Sequence, residues 1–180
     1  MRPEGDIRTL ISRGEIDQRI QGLSSEIASS MGPEPLLVAI LKGSFVFCAD
    51  LIRGLHGAGM QPQVDFMMLS SYGRSTTSSG VVEIRKDVTD SVEGRQILLI
   101  DDILESGRTL RFARDHLLSR GAAEVKSCVL LHKPGKAKVE FQADHVGFTV
   151  DDLFVIGYGL DYAHYFRELP FIGVLAPKEG

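Results

Sequence analysis

The sequence predicts an α/β protein with a mainly parallel central sheet and helices on both faces. Three observations carry this reading. Short, continuous apolar runs at residues 36–41 and 97–100 have the form of strands covered on both sides, and 125–131 is a further apolar strand. Between them lie stretches whose apolar residues fall at helical spacing. Polar or glycine-rich breaks separate the two kinds of segment, so the chain repeats strand, loop, helix, strand.

Taken in order, Ile16, Ile20, Leu23 and Ile27 mark a helix over residues 15–30, which ends near Met31-Gly32-Pro33. A strand follows at 36–41. After Lys42-Gly43-Ser44, Phe47, Leu51 and Leu55 give a second helix, with Gly57 and Gly59 at its end. Residues 64–70 read as a strand. Residues 70–80 are too rich in small polar side chains to pack, and residues 81–84 read as a returning strand. A turn at 90–94 leads to the strand from Ile97. Leu110, Ala113, Leu117 and Leu118 then mark a third helix, and 125–131 and 154–156 give further strands.

At 180 residues the chain fits one domain, taken as residues 1–180. The net charge is −4 and the basic residues are scattered, which argues against nucleic acid as the main partner. Cys48 and Cys128 sit among apolar neighbours without metal-type spacing and read as buried free thiols in a reducing compartment. The first residues carry no apolar signal region. No apolar run approaches the roughly 18 residues that cross a membrane. A cytoplasmic protein with no membrane partner is expected. The five histidines form no pair with metal spacing.

Residues 97–110, Ile-Leu-Leu-Ile-Asp-Asp-Ile-Leu-Glu-Ser-Gly-Arg-Thr-Leu, say most about function. A buried strand ends on Asp101 and Asp102, and a short hydroxyl-bearing loop opens a helix. Carboxylates where the chain leaves the sheet suit a sugar diol or water on Mg²⁺. Backbone N–H groups at the helix start, with Ser106 and Thr109, suit a phosphate. An isolated Asp-Asp reads as a solvated strand end, and Ser106 alone as a plain N-cap. Neither accounts for the whole assembly. Ligands of parallel sheets bind at the C-terminal strand ends. Lys42-Gly43, Ser71-Tyr72, Asp101-Asp102, Lys133 and Asp161 are all expected on that edge. A Walker loop is absent, and Gly157-Tyr158-Gly159 lacks the third glycine of a dinucleotide fingerprint.

The run Leu-Ile-Asp-Asp-Ile-Leu-Glu-Ser-Gly-Arg-Thr resembles the phosphoribosyl pyrophosphate (PRPP) signature of type I phosphoribosyltransferases. Three further segments narrow the resemblance to the 6-oxopurine (hypoxanthine) branch, over roughly residues 36–175. They are Leu41-Lys42-Gly43-Ser44, the Ser71-Tyr72-Gly73 loop, and residues 154–162 with the run ending Tyr165-Phe166-Arg167. The resemblance implies the type I phosphoribosyltransferase fold, a mainly parallel sheet plus a small hood built from terminal segments. It implies a homodimer or homotetramer, Mg²⁺ as cofactor, and PRPP and a purine base as partners. The reaction implied is purine plus PRPP giving a nucleoside monophosphate and pyrophosphate. Oxocarbenium-like charge develops on the ribose and negative charge on the leaving group.

By the same resemblance, Lys42 and Gly43 form a pyrophosphate loop and Arg167 contacts the same group. Asp101 and Asp102 hold the ribose hydroxyls, and the loop through Ser106, Gly107, Arg108 and Thr109 holds the 5′-phosphate. Asp161 is similar to a metal ligand. Lys133 looks like the donor to the purine's 6-oxo group. Phe154 would stack on the base and Val155 would offer it backbone hydrogen bonds. Ser71 and Tyr72 belong to a lid that would exclude water. Singly, Lys42 and Arg167 also read as surface residues, Asp161 as an N-cap, Lys133 as a turn lysine, and Phe154 and Val155 as core.

One position departs from the pattern. The acid expected to handle the proton on the purine's N7 is usually Asp, and here it is Glu105, longer by a C–C bond of roughly 1.5 Å. A carboxylate is kept, so acid–base work is retained. A regulator that senses PRPP or nucleotides is the alternative function. It would be expected to carry a basic stripe or an added nucleic-acid-binding segment, and neither is evident.

Overall fold

The computed structural model describes residues 3, 5–71 and 82–176. Along the chain run β1 (Asp6–Ile11), α1 (Arg13–Ser30), β2 (Leu36–Leu41), α2 (Phe45–Gly57), β3 (Gln63–Ser71) and β4 (Val82–Lys86). After them come β5 (Gln96–Leu104), α3 (Arg108–Ser119), β6 (Glu124–His132), β7 (His145–Thr149), β8 (Val155–Ile156) and β9 (Ile172–Ala176). Six strands form the larger sheet in the order β4-β3-β2-β5-β6-β7, parallel except for β4.

The alternation of each strand sends its side chains to two cores. Leu37, Ala39, Leu98, Ile100 and Leu130 meet Ile16, Leu23 and Ile27 of α1 and Phe47 and Leu51 of α2. Val38, Ile40, Leu99 and Val129 meet Leu110, Ala113 and Leu117 of α3 on the opposite face. The helix α1 starts on a capping box. The Glu15 N–H donates to the Ser12 side chain, and the Ser12 N–H donates to Glu15 Oε2 at 2.8 Å.

The sheet's order reverses between β2 and β5, and at this switch point loops on the C-terminal edge part to opposite faces. The pairing of β2 with β5 ends at Ala39↔Ile100, while β5 stays paired to β6 as far as Leu104↔His132. Asp101 and Asp102 therefore lie within β5, past the reach of β2, rather than at the strand's last residues.

A second, antiparallel sheet of three strands, β1-β9-β8, joins the two ends of the chain, with Asp6↔Ala176 and Val155↔Val174 in register. This is the hood. The strands β1, β7 and β9 were not among the elements expected from periodicity. Each has only five or six residues; β1 buries only Ile11 fully, and Gly147 and Gly173 interrupt β7 and β9. The strand at 154–156 belongs to this smaller sheet, so Asp161 comes from a hood loop and not from a strand end of the large sheet. Of the expected lid, Ser71 ends β3, while Tyr72 and the rest of the loop through residue 81 lie outside the described residues.

Candidate active site

The loop after β5 and the start of α3 enclose a cavity lined by Asp101, Asp102, Glu105, Ser106, Gly107 and Thr109, with Ile40 and Leu110 behind. Gly107, at φ 78°, caps α3 without a side chain, so Ser106 is not the N-cap. Its hydroxyl instead accepts from the Arg108 N–H at 3.3 Å. The left-handed turn is braced from outside. The Ser106 carbonyl accepts the N–H groups of Lys138 and Val139, and a Cβ at position 107 would stand 3.1 Å from Val139 and Phe141 side chains. A helix start with no side chain on its cap leaves first-turn N–H groups for an anion. Arg108 itself is exposed at the rim.

Asp101 is buried and Asp102 half-buried, with the Asp102 N–H donating to Asp101 Oδ1 at 3.0 Å. Burial, and then repulsion from Asp102, lifts the Asp101 carboxyl well above the ordinary carboxylate range. Burial lifts Asp102 too, opposed by hydrogen bonds and by the charge of Arg167.

Across the switch point, the peptide after β2 closes on Asp102. A Cβ at Gly43 would collide with Asp102 Oδ2, so only glycine lets the Lys42-Gly43 loop lie against that carboxylate. The Leu41–Lys42 peptide is cis, and Lys42 is exposed. On the other side of the same loop, a Cβ at Gly159 (φ 98°) would stand 2.2 Å from the Gly43 carbonyl. Asp102, Gly43 and Gly159 are therefore stacked, and the hood is in contact with the central sheet at this point.

The register Leu104↔His132 brings the next residues of β5 and β6, Glu105 and Lys133, side by side. Lys133 Nζ donates to Glu105 Oε1 at 2.7 Å, and the Lys133 N–H donates to the Leu104 carbonyl at 2.9 Å. The Lys133 side chain is 6% exposed against 42% for Glu105, so the pair gives a buried ammonium its counter-charge while leaving the carboxylate open to the cavity side. The Val150 N–H donates to the His132 carbonyl, which lays the segment leading to Phe154 and Val155 beside Lys133. Phe154 is 56% exposed and meets Tyr162 edge to face at 5.1 Å, so it is not a core residue, whereas Val155 is buried.

On the hood loop, Arg167 donates to Asp161 Oδ1 at 2.7 Å and to the Gly159 carbonyl at 2.6 Å. The pairings Glu105–Lys133 and Asp161–Arg167 join residues far apart in the expected functional groups, and spacing alone does not reveal them. Sequence reasoning also passed over Tyr158. It is fully buried and its hydroxyl donates to Asp50 of α2 at 2.6 Å, which ties the loop to the core. Its position between two glycines was the available signal.

A parallel sheet with its switch point at a strand–loop–helix cavity, closed by a hood from both ends of the chain, defines a phosphoribosyltransferase. The chain belongs to this family: the model of the phosphoribosyl transferase domain matches residues 12–163. Within the family it is similar to the hypoxanthine-guanine phosphoribosyltransferase of Bacillus subtilis (strain 168), 47% identical over 171 residues that cover 94% of this chain and 93% of that protein. The crystal structure of a hypoxanthine phosphoribosyltransferase from Staphylococcus aureus superposes with a TM-score of 0.88 at 38% identity, covering 94% of this chain and 91% of the other. The chain is also 46% identical, over 172 residues or 95% of its length, to the bifunctional protein TilS/HprT of Listeria monocytogenes, of which it spans 26%.

Proposed function

We propose that this chain transfers the 5-phosphoribosyl group from PRPP to a 6-oxopurine, giving a nucleoside monophosphate and pyrophosphate in purine salvage. The observation that carries the reading is the single cavity that collects Asp101, Asp102, Glu105, Ser106 and Thr109 at the sheet's switch point, with Lys133 bonded to Glu105. The ribose hydroxyls donate to Asp101 and Asp102, and the N-terminal turn of α3 with Ser106, Gly107, Arg108 and Thr109 takes the 5′-phosphate. The backbone at Lys42-Gly43 and the guanidinium of Arg167 take the pyrophosphate. Lys133 donates to the 6-oxo group, Phe154 stacks on the base and Val155 offers it backbone groups.

Glu105 is the proton-handling group at the purine's N7. Its contact with Lys133 gives it a partner to exchange for the base: as Lys133 turns to the 6-oxo oxygen, the carboxylate is released toward N7. Among the described residues, no group of three His, Cys, Asp or Glu side chains could hold a metal alone. One carboxylate, Asp161, beside a diphosphate site fits Mg²⁺, which binds few protein carboxylates and takes phosphate oxygens for the rest. Bound there, Mg²⁺ would neutralise charge on the leaving pyrophosphate. No helix of the described residues is long and apolar enough to cross a membrane. Assembly as a homodimer or homotetramer accompanies this reading.

An ultraviolet assay with PRPP, Mg²⁺ and each purine in turn tests the proposal, with turnover of hypoxanthine or guanine expected. Folded protein that turns over no 6-oxopurine would overturn it and favour the PRPP-binding regulator. Glu105→Gln is expected to lower kcat about 100-fold, within the range for a lost acid–base group, while PRPP still binds. An unchanged kcat would remove Glu105 from the chemistry.

A further inference from the structure

The two hood-loop residues assigned above to pyrophosphate and metal are bonded to each other. Arg167 and Asp161 meet at 2.7 Å, both largely shielded, with side chains 21% and 28% exposed. The second carboxylate oxygen of Asp161 accepts the His164 N–H at 2.8 Å. Both carboxylate oxygens of Asp161 thus have partners. Arg167 is in turn fixed at a second point by the Gly159 carbonyl at 2.6 Å, and its charge reaches Asp102 across the cavity. The loop holding this arrangement is tightly wound. Tyr158, Ala163, His164 and Phe166 all have positive φ, at 51°, 51°, 71° and 77°. Such backbone persists only where surrounding contacts over-determine it.

A divalent cation on Asp161 and a guanidinium on the same carboxylate repel each other. A diphosphate satisfies both, since it accepts from Arg167 and supplies the oxygens that Mg²⁺ requires beyond one protein carboxylate. We propose that Arg167 is a placeholder for the divalent cation: it occupies Asp161 until a diphosphate draws it away, making cation binding at Asp161 conditional on the anion. The proposal rests on the PRPP reading of the site and adds to it a coupling between two ligands. By linkage, the cation strengthens diphosphate binding by the factor with which the diphosphate strengthens cation binding. Arg167 here acts as a positioning residue through Asp161.

The test reads Mn²⁺ affinity by electron paramagnetic resonance on the full chain, without anion, in wild type, Arg167→Lys, Arg167→Gln and Asp161→Asn. Lysine keeps the charge but lacks the planar fork that grips Asp161 and Gly159 together. Arg167→Lys and Arg167→Gln are each expected to bind Mn²⁺ about five-fold or more tightly than wild type, the lower end of ordinary coupling factors. Adding Asp161→Asn is expected to cancel the gain. Tightening in Arg167→Gln alone means a long-range charge effect and overturns the proposal. So does unchanged or weaker Mn²⁺ binding in both variants, or a gain that survives Asp161→Asn. Circular dichroism on every variant confirms folding, and should Arg167→Lys unfold, the loss or survival of the Arg167→Gln gain in the double variant with Asp161→Asn decides. Wild-type turnover with PRPP is measured separately, so failure of the placeholder role and failure of the PRPP reading give different results.

Discussion

Gly43 shows how one missing side chain can define a site. Its backbone lies against Asp102 on one side and Gly159 on the other, and an added methyl group would overlap Asp102 Oδ2. Gly43→Ala must therefore displace either the Lys42-Gly43 loop or the Asp102 carboxylate. A shift near 1 Å at a site that works by positioning costs on the order of 100-fold. We expect kcat/KM for PRPP to fall by about that factor with the thermal midpoint little changed, measured by steady-state kinetics and a melting curve. A variant with wild-type kcat/KM would show that Asp102 and the loop move freely. Glu105 makes the complementary point. The residue sits at the end of β5 opposite Lys133 because Leu104 pairs with His132, so strand register, rather than local sequence, selects its partner.

At the scale of elements, the hood loop between β8 and β9 carries four non-glycine residues in the left-handed region within nine positions. Strain of roughly 1–3 kcal/mol each requires compensating anchors. Tyr158 is the main one. Its ring is buried, Arg13 lies over it at 5.9 Å, and its hydroxyl donates to Asp50, which also pairs with Arg53 at 2.7 Å. Burial, and then the Asp50 carboxylate, hold the phenol far above its ordinary range, so it remains a donor at every working pH. Tyr158→Phe keeps the packing and removes the bond. Because Asp50 retains arginine partners, the expected cost is near the lower end for charged hydrogen bonds, about 1.5 kcal/mol in urea unfolding. Wild-type stability in this variant would mean that the loop is held by packing alone.

At the scale of the whole molecule, the site is placed where it weakens the fold. Asp101 is buried beside a second carboxylate, and its folded-state pKa is raised. The folded protein thus holds that proton more tightly than the unfolded chain does. This contribution is full below the ordinary carboxylate range and is lost as pH climbs through the folded value. Above the ordinary carboxylate range the folded protein bears the cost of either keeping that proton or burying the charge, a cost that bound ligand offsets by mass action. Asp101→Asn keeps an oxygen for the Asp102 N–H and removes the charge. It should raise the melting temperature at pH 7.5 by about 2–4 °C for each kcal/mol relieved, while weakening PRPP binding. The gain should shrink toward pH 4. An equal gain at both pH values would show that ionisation is not its source.

The sequence by itself determined the alternation of strand and helix, the two-faced core and the strand–loop–helix signature. These depend on local periodicity and on chemistry carried within a dozen residues, and Leu36–Leu41 and α3 lie where the pattern put them. Short strands such as β1, β7 and β9 were not legible, because five or six residues with few buried positions carry little periodic signal. The tertiary structure alone decided which site residues meet. Glu105 meets Lys133 through strand register, Asp161 meets Arg167 through a left-handed loop, and Gly43 meets Asp102 and Gly159 through the reversal of strand order. The physical reason is that such contacts join distant segments. Their geometry follows from how the two sheets pack, which residue spacing along the chain does not encode.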